Sequence, residues 1–247
     1  MRLVCITDLH GALGSLEKIL AHADDVGAVL LGGDITHFGS PIDAQRAVEV
    51  ARRKAPLVLA VVGNTDSTEI EKRLAELAVA FHGRGMILPS GEASPRAVQS
   101  PKVAAETSEV LETSGALTRG TVGLHGLSGI PPWKRGMFGL SEEELAAALE
   151  SGYARIAGCR QHILLAHVPP HGMGLDRTFS GVHAGSHAVR EFVERRRPDV
   201  VLCGHIHEAR GIEKLGPSTI VNCGRGAVGE YALVEAGEAV RVELREA

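Results

Sequence analysis

Short apolar runs recur along this chain, and polar residues follow each run at once. The first run ends at Ile6 and is followed by Asp8 and His10. The second and third end at Gly33-Asp34 and at Gly63-Asn64. Between them, apolar residues recur at helical spacing. Alternation of buried strands with amphipathic helices predicts parallel strands joined by right-handed crossovers.

The pattern predicts the positions of most regular elements. Helices are expected over residues 13–25, 41–54, 68–79, 142–156 and 187–196. Strands are expected over 3–6, 28–31, 57–62, 86–88, 121–127, 163–166 and 200–203. The segments 219–221, 231–234 and 240–244 alternate between apolar and polar residues, which we interpret as an antiparallel meander closing a second sheet. Residues 90–114 show little periodicity and are interpreted as a surface insertion.

Five of the apolar runs end in side chains that bind metal ions. Because the carboxyl ends of parallel strands meet at one edge of a sheet, these side chains are expected to converge. They are Asp8, His10, Asp34, Asn64, His167, His205 and His207. Seven ligands are too many for one tetrahedral ion and suit two ions that share a carboxylate. Oxygen and imidazole ligands without thiolate favour Mn²⁺, Fe, Co²⁺, Ni²⁺ or Zn²⁺, and two such ions can clamp a phosphoryl group.

The order D-x-H, G-D, G-N-x-[DE], H, G-H-x-H resembles the calcineurin-like metallophosphoesterase family, and in particular its small stand-alone prokaryotic members. The motifs stand here as Asp8-Leu9-His10, Gly33-Asp34, Gly63-Asn64-Thr65-Asp66, His167 and Gly204-His205-Ile206-His207. The resemblance implies an α/β fold, a four-layer αββα sandwich of two mixed β-sheets flanked by helices. We expect a single domain over residues 1–247. The resemblance also implies one ion on Asp8, His10 and His207, a second on Asn64, His167 and His205, and Asp34 as the bridge.

The implied activity is hydrolysis of a small phosphomonoester or phosphodiester by a hydroxide that bridges two divalent ions, with Mn²⁺ the first choice of metal. Asp34 and Asn64 are the expected catalytic residues, and His37 and Asp66 are further candidates. Asn64, Thr65 and His171 are the expected substrate-binding residues. Many family members carry a histidine at the position of Thr65, and that histidine is thought to assist the leaving group. We hypothesise that His37 or His171 takes over this role or that the assistance is absent.

Net charge and cysteine content bear on the partner and the cellular location of the protein. The net charge is −4, which does not suggest a nucleic-acid binder working by bulk charge, so nucleic acid is not the expected partner. A nuclease of the same family and a non-catalytic protein-binding scaffold nevertheless stay open. The four cysteines form no C-x-x-C pair, and neither a signal peptide nor a membrane span is evident, which favours a cytoplasmic protein. A homo-oligomer is left open.

The loop 172–186, with Asp176 and His183, either covers the site or is a plain surface loop.

Overall fold

Two β-sheets pack face to face in the computed structural model of the chain, which describes residues 1–88, 121–133 and 136–247. Buried side chains from both sheets, among them Leu3, Leu30 and Leu165, fill the space between them. A second apolar layer joins the outer face of the first sheet to three helices, and a third joins the second sheet to two more. This arrangement confirms the four-layer αββα sandwich. The insertion expected at 90–114 lies outside the described residues.

The strands and helices alternate over most of the described chain. The strands are β1 (Arg2–Ile6), β2 (Ala28–Gly32), β3 (Leu57–Val61), β4 (Gly85–Leu88), β5 (Val122–Leu127), β6 (Gln161–Ala166), β7 (Val200–Cys203), β8 (Gly211–Leu215), β9 (Ser218–Asn222), β10 (Glu230–Ala236) and β11 (Val240–Glu246). The helices are α1 (Leu13–His22), α2 (Pro41–Lys54), α3 (Thr68–Glu76), α4 (Glu142–Ala154) and α5 (His187–Arg196).

Both sheets are mixed. The first has the order β11-β10-β1-β2-β3, and the second has the order β4-β5-β6-β7-β9-β8. Strands β1, β2 and β3 are parallel, as are β5, β6, β7 and β9. The expected parallel pairing is therefore confirmed, and the carboxyl ends of these strands lie on a common edge of each sheet.

The meander expected at the end of the chain is wrong. Strand β9 lies parallel to β7 in the second sheet, whereas β10 pairs with β1 in the first sheet and carries β11 at its edge. The last four strands are therefore divided between the two sheets: β8 and β9 belong to the second sheet, and β10 and β11 to the first. Burial accounts for this arrangement. Paired with β1, strand β10 places Ala232 and Val234 in the apolar layer between the two sheets. Strand β8 was not expected, because its residues are half-buried or exposed and include Glu213 and Lys214.

Helix ends also differ from the expected ones. Helix α1 ends at His22 because Ala23 is extended, and α3 ends at Glu76 because Ala78 turns left-handed with a φ of 57°. Helix α4 ends at Ala154, two residues early. Ser67, Ser141 and Ser186 are the N-caps of α3, α4 and α5, and the side chain of each accepts a hydrogen bond from the first turn of its helix.

A carboxylate that the sequence did not single out joins the last two helices. Glu142, at the start of α4, accepts hydrogen bonds from the hydroxyl of Ser186 and from the backbone N–H groups of His187 and Ala188. It therefore binds three donors at the amino end of α5, where the helix dipole favours negative charge. This contact fixes the end of the loop that precedes α5.

Candidate metal centre

The loops that follow β1, β2, β3, β6 and β7 converge and bring all seven expected ligands together. Backbone hydrogen bonds tie the first two loops to each other: Asp8 N donates to Gly33 O at 3.0 Å, and His10 N donates to Asp34 O at 2.8 Å. Four of the ligands have left-handed backbones, with φ values of 53° at Asp8, 47° at His10, 48° at Asp34 and 69° at His205. Each such residue costs about 1–2 kcal/mol. Strain of this kind is concentrated at functional sites.

The first group of ligand atoms comprises Asp8, His10 and His207. Nε2 of His207 lies 3.0 Å from Oδ1 of Asp8 and 3.1 Å from Nε2 of His10. One ligand atom from each of the three residues lies within 4.8 Å of the other two. Asp8 is fully buried, and its carboxylate also accepts a hydrogen bond from the backbone of His205 at 3.0 Å.

The second group comprises Asp34, Asn64, His167 and His205. Oδ1 of Asp34 lies 3.6 Å from Nε2 of His167, while Oδ2 lies 3.9 Å from Nε2 of His10. The carboxylate of Asp34 therefore faces both groups. The amide oxygen of Asn64 lies 3.1 Å from Nε2 of His167. The Nδ1 atom of His167 lies 3.0 Å from the carbonyl of Gly32, a contact that orients the ring and leaves Nε2 for a ligand role.

His205 completes the second group. Its ring lies 5.3 Å from that of His167, between centroids. Its Nε2 atom is buried and has no hydrogen-bond partner among the described residues. A buried polar atom without a partner is rare and signals a missing ion or water. The residues present therefore fit a divalent metal ion.

The protonation states also suit metal binding. Burial lowers the pKa of His205 to about 3 and that of His10 to about 4, so both imidazoles are neutral at pH 7. Metal ions bind neutral imidazole. Burial opposes the ionisation of Asp8, but the hydrogen bond with His207 and the nearby imidazoles hold its pKa below the usual value. Burial raises the pKa of Asp34 to about 6, which leaves the carboxylate mostly ionised at pH 7.

Two glycines of the motifs make room for the ligands. A Cβ atom on Gly63 would lie 2.2 Å from Oδ1 of Asp34 and 2.6 Å from Nε2 of His167. A Cβ atom on Gly204 would lie 2.1 Å from Oδ2 of Asp8. Neither position tolerates a side chain without displacing a ligand, which gives a physical reason for glycine in the G-N and G-H motifs.

Asp66 positions the loops of the site. It is buried, and each carboxylate oxygen accepts two hydrogen bonds: Oδ1 from the N–H and hydroxyl of Thr36, and Oδ2 from the N–H groups of Ile35 and Gly63. Burial raises its pKa, although these bonds oppose the shift. With its oxygens occupied by the scaffold, Asp66 ties the β2 loop to the β3 loop. We therefore interpret Asp66 as a positioning residue, and the catalytic role expected from the sequence stays a prediction.

Thr65 contacts two of the expected ligands, Asp34 and His10, and the sequence did not predict these contacts. Its N–H donates to Oδ1 of Asp34 at 2.8 Å, and its hydroxyl donates to the carbonyl of Thr36 at 2.8 Å. The same hydroxyl lies 3.5 Å from Nδ1 of His10. Thr65 thus supports Asp34 and His10. Its role in substrate binding stays a prediction.

The two candidate leaving-group histidines lie in different places. His37 is exposed, and its ring centroid lies 5.3 Å from that of His10. His171 instead contacts a second group of side chains: its ring stacks 3.9 Å from that of His187, and its Nδ1 lies 3.7 Å from buried Asp176. Asp176 also accepts a hydrogen bond from His183 at 2.6 Å. The geometry brings His37, and not His171, beside an expected ligand.

Two side chains near the centre were not expected from the sequence. The ring of Trp133 lies 5.7 Å from that of His205, and Sδ of Met137 lies 3.9 Å from the amide nitrogen of Asn64. Both belong to the loop after β5. A lone tryptophan in a loop next to two prolines was the available signal.

The sequence matches the calcineurin-like phosphoesterase family over residues 1–209, and the chain therefore belongs to that family. The uncharacterized protein MJ1162 of Methanocaldococcus jannaschii is 26% identical over 234 residues, which cover 90% of this chain and 87% of that protein. Among the described residues, no helix is both long and apolar enough to cross a membrane.

Solved structures share the fold. TT1561 of Thermus thermophilus superposes with a TM-score of 0.70 at 18% identity, over 99% of this chain and 98% of that one. A putative 5′-nucleotidase from Staphylococcus aureus, solved with alpha-ketoglutarate, has a TM-score of 0.58 at 14% identity, over 99% of this chain and 54% of that one. At these identities the likeness shows the fold alone.

Proposed function

We propose that this chain is a phosphoesterase that uses two divalent metal ions to hydrolyse a small phosphomonoester or phosphodiester. The observation that carries the proposal is the pair of ligand groups that meet at one edge of the sheets. Ligand atoms of Asp8, His10 and His207 lie within 4.8 Å of one another, and so do ligand atoms of Asp8, Asp34 and His167, which link the two groups. Membership of the calcineurin-like phosphoesterase family supports the reaction class.

The ligand types indicate the kind of ion. Carboxylate, imidazole and amide ligands without thiolate suit Mn²⁺, with Fe, Zn²⁺, Ni²⁺ and Co²⁺ as alternatives. Asp34 is the proposed bridge because its two oxygens face different groups, at 3.9 Å from His10 and 3.6 Å from His167. When bound, two such ions polarise a phosphoryl oxygen and lower the pKa of a water molecule enough for it to attack phosphorus at neutral pH.

Side chains of the protein are proposed to donate a hydrogen bond to the phosphoryl group and to hold the metal ligands in position. The amide nitrogen of Asn64 contacts the thioether of Met137 at 3.9 Å, and a thioether is a weak acceptor. We assign that N–H₂ group to a phosphoryl oxygen. Thr65 and Asp66 hold the loops that carry Asp34 and Asn64, so that the ligands are in place before the substrate arrives.

Leaving-group assistance is assigned to His37. The hydroxyl of Thr65 donates to Thr36 and is no acid at neutral pH, so it does not replace the histidine that many family members carry there. The exposed ring of His37, next to His10, reaches solvent on the ligand side of the centre. His37→Gln is expected to lower kcat most for esters of poorly acidic alcohols. Equal losses across leaving groups of different pKa would contradict this role.

The four cysteines are free and buried, which supports the proposal that the protein works in a reducing compartment such as the cytoplasm.

The test combines metal analysis with turnover. Purified protein is loaded with Mn²⁺, its metal content is measured, and hydrolysis of 4-nitrophenyl phosphate and bis(4-nitrophenyl) phosphate is followed. Asp34→Asn is expected to lower both bound metal and turnover, the latter by about 100-fold or more. Asp24→Asn, at an exposed position, is the matched control. Neither metal nor metal-dependent turnover would favour the scaffold, and turnover confined to oligonucleotides would favour a nuclease.

A further inference from the structure

The aromatic side chains of this chain are unevenly distributed. The chain has five phenylalanines, two tyrosines and one tryptophan, and all eight lie among the described residues. Five are buried or half-buried. The other three are exposed: Phe38 by 60%, Trp133 by 47% and Phe179 by 93%. Single exposed apolar residues need no explanation, but the rings of Phe38 and Trp133 lie near the candidate metal ligands.

The ring of Trp133 contacts an expected ligand, the ring of Phe38 contacts a neighbour of one, and Phe179 is linked to the ligand loops through its backbone. Trp133 lies edge-on to His205, with 5.7 Å between ring centroids. Phe38 lies 5.3 Å from His37, whose ring neighbours His10. The backbone N–H of Phe179 donates at 2.8 Å to Glu208, the residue after His207.

The backbones that carry two of these rings are anchored to the same loops as the ligands. The N–H of Phe38 donates to the carbonyl of Thr65 at 2.9 Å. The loop of Trp133 is held at both ends: Gly129 N donates to Val62 O at 2.8 Å, and Phe138 N donates to Asn64 O at 3.1 Å. The rings are therefore placed by the scaffold of the metal centre.

We propose that Phe38 and Trp133 form an aromatic rim that binds a planar heteroaromatic ring on the alcohol side of the substrate. The substrate class is then phosphate esters of nucleoside type. This inference rests on the proposed function, since it takes the phosphoryl group to be held at the metal centre. The alcohol of a phosphoryl group held there projects outward, past the rim. Stacking of one base on one aromatic side chain strengthens binding by roughly 5- to 100-fold.

The alternative occupant of exposed rings is a partner protein. The rim, however, lies beside buried carboxylates and imidazoles, with the exposed imidazole of His37 between Phe38 and His10. Such a surface has a charged centre and apolar edges. It matches a small ligand with an anionic group at one end and a planar ring at the other better than it matches an apolar protein face.

The test compares adenosine 5′-monophosphate with ribose 5-phosphate on the Mn²⁺-loaded full chain. Both are esters of the same primary alcohol, so they differ in the base and not in the leaving group. Trp133 is the one tryptophan of the chain, and its fluorescence reports occupancy of the rim without turnover. We expect the nucleotide to quench that fluorescence and to have a KM at least about 5-fold below that of ribose 5-phosphate.

Three variants refine the test. Trp133→Ala is expected to bring the two KM values together, and Trp133→Phe is expected to keep most of the difference. Ile212→Ala is the control, because Ile212 has the same 47% exposure on the edge strand β8. Circular dichroism checks that each variant is folded.

The outcomes separate this inference from the proposed function. Turnover of both esters with equal KM overturns the aromatic rim and leaves the phosphoesterase. Quenching by the nucleotide without turnover of any ester overturns the phosphoesterase and supports the rim as a binding site. Absence of quenching, or a KM difference that survives Trp133→Ala, overturns the rim. Binding of a protein partner that Trp133→Ala abolishes, with no response to the nucleotide, also overturns it.

Discussion

Replacing Gly204 by alanine tests whether Asp8 is a metal ligand, as proposed, because the added methyl group would displace its carboxylate. The backbone of Gly204 does not have a positive φ, so alanine meets no conformational barrier there. The obstacle is space. The added Cβ atom would lie 2.1 Å from Oδ2 of Asp8 and 2.6 Å from both Cβ and Oγ1 of Thr7.

The required displacement follows from these distances. Ordinary contact begins at 3.4 Å, so the Cβ atom and Oδ2 of Asp8 must separate by roughly 1.3 Å. Neither neighbour is free to move: Oδ2 accepts a hydrogen bond from His205 N at 3.0 Å, and the hydroxyl of Thr7 donates to Gly224 O at 2.7 Å. Metal–ligand distances tolerate only about 0.2 Å. We expect Gly204→Ala to weaken metal binding by about 10- to 100-fold, or about 1.4–2.8 kcal/mol.

The assay measures Mn²⁺ affinity by competition with a chelating dye in the wild type and the variant. Urea unfolding in the presence of EDTA measures the separate cost of overpacking, expected at about 1–3 kcal/mol. Gly14→Ala is the control, since a Cβ atom there meets nothing within 4 Å, and the substitution lies in helix α1. Unchanged Mn²⁺ affinity in folded Gly204→Ala would refute the view that Asp8 is a ligand.

Three further predictions concern residues that support the fold and the site. Asp66→Asn places an amide NH₂ where a carboxylate oxygen now accepts two hydrogen bonds, so we expect a loss of about 2–4 kcal/mol in unfolding free energy and weaker metal binding. His125 is fully buried and neither ring nitrogen has a hydrogen-bond partner among the described residues; burial lowers its pKa to about 3. Below pH 6.5 the unfolded chain takes up a proton that the folded His125 rejects, so the wild type loses stability as the pH falls from about 6.5 towards 3. His125→Leu is expected to remove about 2 kcal/mol of that loss at pH 5, measured as the difference between urea unfolding at pH 7 and pH 5. Glu142→Gln weakens the charge-assisted bonds at the amino end of α5 and is expected to lower the unfolding free energy by about 1 kcal/mol.

Each of these predictions has a control at an exposed position: Asp24→Asn for the first, His22→Gln for the second and Glu191→Gln for the third. A variant of Asp66 with wild-type stability would show that its four hydrogen bonds are replaceable. An unaltered pH dependence in His125→Leu would mean that this ring has the same pKa in the folded and the unfolded protein. Equal stability losses in Glu142→Gln and its control would contradict a capping role for Glu142.

The sequence was most informative where chemistry and strand periodicity coincide. Asp8 and His10 follow a buried run, Asp34 and Asn64 follow two others, and parallel strands bring their carboxyl ends together by a rule that needs no knowledge of distant pairing. That is why the sequence predicted that these side chains converge, whereas the four-layer fold was expected from the family resemblance.

Positions that depend on contacts between distant segments were not predictable in this way. His171, four residues after an expected ligand, turns to Asp176 and His187, because the hydrogen bonds of buried Asp176 set the path of that loop. The hydrogen bonds of Thr65 to Asp34 and to the carbonyl of Thr36 also join segments far apart in the chain. Trp133 reaches His205 only because its loop is anchored on the loop after β3.

The sequence by itself determined the order of strands and helices up to α5, the residue types at each strand end and the glycines beside them. These properties are local, since they follow from side-chain spacing along one segment. The tertiary structure decided which sheet each strand after α5 joins, which histidine lies beside the candidate ligands and which aromatic rings lie near them. Those choices are made by competition for buried surface and hydrogen bonds among segments far apart in the chain, and no local pattern encodes that competition.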